Sequence, residues 1–310
     1  MLNDMRRSEH PNTEIRSATK PDQKLALDLL FRSQPVESSL PQISAILEQA
    51  ESASNSLDGL AIARRNGQTL GAVWLQVLTR ETALLWPPSA PATHSNELAR
   101  ELLVWACEQA ITRKVRLVQV LVNSSEGEDA TLLEQFGFHY TTDVLSLMCH
   151  YDRLPQSKPI SGLDFELCRS TDRKRLEAVV AATFQGTLDC PTTQGLRSVA
   201  DAIEGYEKIG ELGQNNWLFV RQNGLDIGCL LLADHSHENQ WEFVYMGLVE
   251  SARGHHLGHF VVDYGCWLAR CKGRLHVFLA VDASNTPAMK TYIGAGFEET
   301  VRRCLFLKTY

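Results

Sequence analysis

The residues of this chain best placed to bind an anion lie between positions 248 and 260. Arg253, Gly254 and Gly258 stand there between an apolar run, 241–249, and a stretch with Leu257, Val261, Tyr264, Leu268 and Cys271 at helical spacing. A strand that passes through a short Gly-bearing loop into a helix N-terminus offers unpaired backbone N–H groups to a phosphate or pyrophosphate. Arg253 adds a fixed charge with forked donors. Gly254 and Gly258 permit a tight backbone and close approach of a ligand. His255, His256 and His259 share the segment, either as further anion contacts or as plain exposed residues. The i, i+4 spacing of His255 and His259 would suit a metal ion, but no third ligand follows at a matching distance, so no metal is expected.

A second block follows. An apolar strand, 275–281, runs into Asp282 and then Asn285, Ala288, Tyr292, Gly296 and Phe297. Taken together, the two blocks resemble the GCN5-related N-acetyltransferase (GNAT) superfamily. That family carries Arg/Gln-x-x-Gly-x-Gly/Ala in its pyrophosphate loop, then Asn-x-x-Ala-x-x-x-Tyr followed by Gly-Phe. The second motif is matched throughout; the first is matched at Arg253 and Gly258, with His256 where the first Gly is usual.

The resemblance implies acetyl-CoA, or another acyl-CoA, as co-substrate. It places Met246, Gly247 and Leu248 beside the pantetheine arm, and Arg253, Gly254, His255, His256, Leu257, Gly258 and His259 around the pyrophosphate. Asn285 would cap the following helix and reach the cofactor amides. It makes Tyr292 the general acid for the departing thiolate, since a phenol is protonated at neutral pH. Glu242, on the strand leading to the loop, is the candidate base, with Asp282, Tyr245 and His235 as rivals. The implied reaction is direct transfer of an acyl group to a primary amine, on a small molecule or a peptide, within one ternary complex. A non-catalytic acyl-CoA-binding or regulatory module is the alternative.

Positioning these groups requires a strand-loop-helix-strand-helix order, and 163–310 reads as a full β-α-α-β-β-β-α-β-α-β series. The segment 151–162, with two prolines and a glycine, reads as a linker. The preceding half, 13–150, repeats the order in outline, and Phe136-Gly137-Phe138 parallels Gly296-Phe297, which suggests duplication. The first copy has Pro87 and Pro88 in place of the phosphate loop, Glu126 in place of Asn285 and Leu133 in place of Tyr292. Proline lacks an N–H, so this copy is expected to be degenerate. The fold class expected is α/β (α+β): two tandem GNAT folds, each a mixed, mostly antiparallel sheet flanked by helices.

Composition sets the outer bounds. The 310 residues suit two domains or one large one, and 44% hydrophobic residues suffice for folded cores. A net charge of −7 argues against nucleic acid as a partner. No run is apolar and long enough to span a membrane. The eight cysteines include no Cys-x-x-Cys, and residues 1–12 are polar, expected to form a mobile tail without a secretion signal. A cytoplasmic location with reduced thiols is therefore expected.

Overall fold

Alternating side chains decide the sheets. In the strand Asn216–Gln222, Trp217 and Phe219 are buried in one cluster and Leu218 and Val220 in another, so both faces of its sheet are covered. The computed structural model describes residues 13–32, 47, 57–90, 95–210 and 216–310. The tail expected over 1–12 lies outside the described residues. Two compact units emerge, one of residues 1–139 and 306–310, the other of residues 140–305.

The first unit contains β1 (Thr13–Ser17), α1 (Lys20–Arg32), β2 (Leu60–Arg65), β3 (Gln68–Val77), β4 (Thr82–Ser89), α2 (Ser95–Thr112), β5 (Leu117–Val122) and α3 (Glu128–Gln135). Neighbouring strands pair antiparallel except β4 and β5, which are parallel. That parallel pairing runs from Thr82↔Leu117 to Leu85↔Val120 and stops there, although β4 continues to Ser89.

The second unit takes β6 (His139–His150) from residue 140 onward, then β7 (Asp164–Leu167), α4 (Arg173–Phe184), α5 (Val199–Glu207), β8 (Asn216–Gln222), β9 (Leu225–His235), β10 (Gln240–Leu248), α6 (Leu257–Cys271), β11 (His276–Asp282), α7 (Thr286–Gly294) and most of β12 (Glu298–Thr309). Its strand order includes β6-β11-β10-β9-β8-β7. One cluster, with Trp241, Phe243, Val261, Cys266 and Phe297, packs under α6 and α7. The other, with Leu176, Val180, Ile203, Trp217 and Phe219, packs under α4 and α5.

The compact units do not divide at 151–162. Strand β6, encoded by the first half, pairs with β11 from His276↔His150 to Asp282↔Val144. Its buried residues, Leu145, Leu147 and Cys149, fall at every second position and join the cluster under α6 and α7. Conversely, Phe306–Tyr310 belong to the first unit, where the Tyr310 N–H donates to the Arg116 carbonyl at 3.0 Å. The closing strand of the first half thus serves the second unit, while only the last residues of the chain join the first.

The halves share local devices as well as order. Asn223-Gly224 turns β8 into β9 with both residues at positive φ, 51° and 79°, and Asn66-Gly67 turns β2 into β3 in the same way, at 51° and 80°. The mixed, mostly antiparallel sheet with flanking helices is therefore present twice. Among the described residues, no helix is long and apolar enough to cross a membrane.

Candidate active site

The site is built where β10 leaves β11. The two strands pair in parallel from Gln240↔His276 to Phe243↔Leu279 and then part. A bulge between Phe243 and Tyr245 shifts the register, and β10 continues against β9 alone from Tyr245↔Leu231 to Leu248↔Gly228. β11 continues against β6 to Asp282. The facing edges of Tyr245–Leu248 and of β11's end thus lack a ladder partner, leaving a V whose walls are backbone N–H and C=O groups.

The sequence at the mouth of the V explains its turn. After β10 a 3-10 turn, Glu250–Ala252, leads through Arg253 to Gly254 at φ 79° and His256 at φ 59°. α6 then starts at Leu257, and its first turn leaves N–H groups without intrahelical acceptors. His256 occupies the left-handed region where the related motif has glycine. A side chain there costs about 1 kcal/mol. We expect His256→Gly to raise unfolding stability by roughly 0.5–1 kcal/mol. A urea melt showing unchanged or reduced stability would dismiss the strain.

The other residues expected here fall as follows. Arg253 does not present its guanidinium freely: Nε donates to Leu248 O at 2.9 Å, Nη1 to Gly186 O at 2.8 Å and Nη2 to Thr183 O at 2.6 Å. It stitches the end of α4 to the end of β10 and satisfies carbonyls that the helix terminus leaves open. An anion at this turn would therefore meet chiefly backbone N–H groups. Gly247 is a packing glycine on the α4 side, since a Cβ there would lie 2.7 Å from Thr183 Cβ. Met246, Leu248 and Leu257 lean on the cluster under α6 and α7. Gly258 faces Thr291 of α7 with room for ordinary contact. His255 and His256 are exposed, and His259 packs on Gly294. No group of residues suited to a metal occurs among the described residues.

Asn285 is the N-cap of α7, with its side chain accepting from Ala288 N at 3.3 Å. Tyr292 stands on α7, 7% exposed, with its ring tilted 5.7 Å from that of Phe297. Burial pushes its phenol well above the usual range, and the charge of Asp189 adds to the rise.

Glu242 faces away from the cluster that takes its neighbours Trp241 and Phe243, toward the α4–α5 side. Its Oε2 lies 2.9 Å from His235 Nε2, and both side chains are about four-fifths covered, 21% and 23% exposed. The rivals are otherwise engaged. Tyr245 shares a 2.8 Å hydrogen bond with Thr183, stacks on Tyr206 and is pushed well up by burial. Asp282 accepts from Thr142 Oγ1, from Ser284 N and Oγ, and from Cys190 N. Burial alone would raise it, but those bonds hold it below the usual carboxylate range, which makes it a weak base.

Sequence reasoning missed Asp189 and Arg197, which lie between α4 and α5 in a segment without periodicity or motif. Asp189 Oδ1 accepts from the N–H of Asp282 at 3.1 Å. It is exposed on one side and ringed by protein on others, so that burial raises its pKa.

The first unit has a V of its own, where β4 leaves β5. A cavity of about 740 Å³ lies there, lined by Pro87, Pro88, Ser89, Val122, Glu126 and Asp129 among others. Two prolines without N–H groups, and three carboxylates against the one cation Arg100, set its lining apart from the second unit's V. Leu133, in place of a tyrosine, is buried.

Comparison with solved structures agrees with this architecture. A GCN5-related N-acetyltransferase from Sphaerobacter thermophilus superposes with a TM-score of 0.73 at 16% identity, covering 97% of both chains. This chain has the GNAT fold. A tandem GNAT protein from the clavulanic acid biosynthesis pathway shares the GNAT fold along nearly the whole chain as well, with a TM-score of 0.59 at 14% identity over 96% of this chain and 98% of that one. A curated relative, the mycothiol acetyltransferase of Acidothermus cellulolyticus, is 31% identical over 100 residues. That stretch is 32% of this chain and spans only 31% of the relative's length. No family model matches the chain.

Proposed function

We propose that this protein is an acyl-CoA-dependent N-acyltransferase whose chemistry resides in the second unit, with the first copy non-catalytic. The observation that carries this reading is the V between β10 and β11, which opens onto the N-terminus of α6 and has Tyr292 nearby on α7. The residues present fit a CoA thioester. The unpaired edge of Tyr245–Leu248 offers alternating donors and acceptors to pantetheine amides, and the turn at Gly254 to Gly258 offers N–H groups to a pyrophosphate. The curated relative and the fold neighbours named acetyltransferases support acyl transfer.

Acetyl-CoA supplies an activated carbonyl carbon and a thiolate leaving group. Glu242 takes a proton from the acceptor nitrogen and shares it with His235. A backbone N–H on the open β10 edge donates to the thioester oxygen, where negative charge develops. Tyr292 gives its proton to sulfur and regains one from solvent. The V holds both reactants together, which supplies much of the acceleration through proximity.

The test is release of free thiol from acetyl-CoA by the full chain, with and without primary amines. Amine-dependent release accompanied by acylated amine supports transfer. CoA binding without amine-dependent release would instead make the protein a non-catalytic acyl-CoA module.

A further inference from the structure

The parting of β10 from β11 leaves the last amides of β11 facing the gap. Ala283 N donates to Asp143 O on the β6 side at 2.9 Å. Backbone alternation therefore turns the N–H of Asp282 toward the open side. Asp189 meets it there, with Oδ1 at 3.1 Å. The contact is reciprocal, since Asp282 Oδ2 accepts from Cys190 N at 3.0 Å. Asp189 N is fixed in turn by Thr187 Oγ1 at 3.1 Å. A residue of the α4–α5 segment is thereby pinned into the mouth of the V.

The two carboxylates differ in what remains free. Asp282 is 2% exposed and accepts from four donors. Asp189 is exposed, and among the described residues no donor meets its Oδ2 and no cation lies within ion-pairing distance. Its charge bears on Tyr292, in the cluster under α6 and α7, and on Tyr245 and Tyr206, on the α4–α5 side. Arg197, held over the Tyr206 ring at 5.8 Å, acts on Asp189 through space but forms no ion pair with it among the described residues. An anion without an ion-pair partner, fixed at the free edge of β11, selects for a cation.

Building on the acyl-transfer reading above, we infer that Asp189 anchors the acceptor and that the acceptor is a primary alkylamine bound as its ammonium ion. An ammonium has three donors, so one can go to Asp189 Oδ2 while another passes its proton through water to Glu242, whose register partner Phe278 lies four residues before Asp282. Once that proton has left, an N–H still points at Asp189, and the nitrogen lone pair is turned away from it toward the thioester carbon; the second proton leaves the nitrogen for solvent as the tetrahedral intermediate collapses.

The experiment compares wild type with Asp189→Asn, which keeps an oxygen for Asp282 N and removes the charge. Acetyl transfer is measured near neutral pH with cationic amines (glucosamine, cadaverine, glycinamide) and with the neutral amines aniline and hydroxylamine. For the best cationic acceptor, KM should rise roughly 10- to 100-fold in Asp189→Asn, with kcat and the KM for acetyl-CoA within about twofold. Neutral acceptors should be poor in wild type and unchanged in the variant. In wild type, raising sodium chloride from about 50 to about 500 mM should raise KM for the cationic acceptor several-fold and leave neutral ones alone; this arm decides if the variant does not fold. A neutral amine as best acceptor, a KM for the cation within twofold in Asp189→Asn, or no salt effect would overturn the Asp189 assignment while leaving acyl transfer standing. No transfer to any amine would overturn the acyl-transfer reading, and this inference with it.

Discussion

Tyr292→Phe should lower turnover about 10²- to 10⁴-fold, the range for a lost acid–base group, and leave acetyl-CoA affinity within about twofold. The ring is buried in the cluster under α6 and α7 beside Phe297, so phenylalanine fills the same space and the fold persists. What the change removes is one hydroxyl, for which no hydrogen bond occurs among the described residues. Burial holds that phenol protonated well beyond its ordinary range. An acid must keep its proton to act, so wild-type turnover should show no fall on the alkaline side up to about pH 10. Steady-state kinetics with calorimetric measurement of CoA binding checks both statements. Unchanged turnover in the variant would remove Tyr292 as the acid.

Glu242→Gln should cost about 10²-fold or more in turnover, with CoA binding intact. A base acts only when deprotonated, which gives the wild-type pH–rate profile an acidic limb. Glutamine does not titrate, and the acidic limb of the pH–rate profile should flatten. The assignment rests on elimination as well as on contact. Asp282 is committed to four donors and held in its weakly basic form, while Tyr245 is bonded to Thr183 and buried. Only Glu242 pairs with a histidine, His235, able to accept the proton in turn. A preserved acidic limb in Glu242→Gln would transfer the role elsewhere.

Much of the second unit was legible because its signals are local. Helix α6 spans 257–271, as the apolar spacing indicates, and Asn285 caps α7. The Asn-Gly pair at 223–224 marks a hairpin turn in its own right, and it forms one. What escaped the sequence depends on partners distant along the chain. Nothing in the alternation of 144–149 says which strand will pair with it, so the place of β6 beside β11 was hidden. Arg253 reads as a phosphate ligand until the carbonyls of Thr183 and Gly186 are brought against it. Asp189 lies in an irregular segment, and only the free edge of β11 gives it a place. The departure at His256, by contrast, was visible as a missing glycine, and the left-handed backbone there gives its physical reason.

Both units part their parallel strands, at Leu85 in the first and at Phe243 in the second. Their chemistry separates them. The first V has Pro87, Pro88 and the carboxylates of Glu126 and Asp129 around a cavity of about 740 Å³, which disfavours a pyrophosphate. The second has a glycine-bearing turn, a helix N-terminus, Asn285 and Tyr292. The presence of a roomy cleft in the first unit therefore does not make it the site of transfer.

A crystal structure of the full chain with acetyl-CoA tests this division most directly. The account predicts one CoA per chain, with pantetheine along Tyr245–Leu248 and pyrophosphate at the turn from Gly254 to Gly258. CoA seated only between β4 and β5, or bound equally in both units, would contradict it.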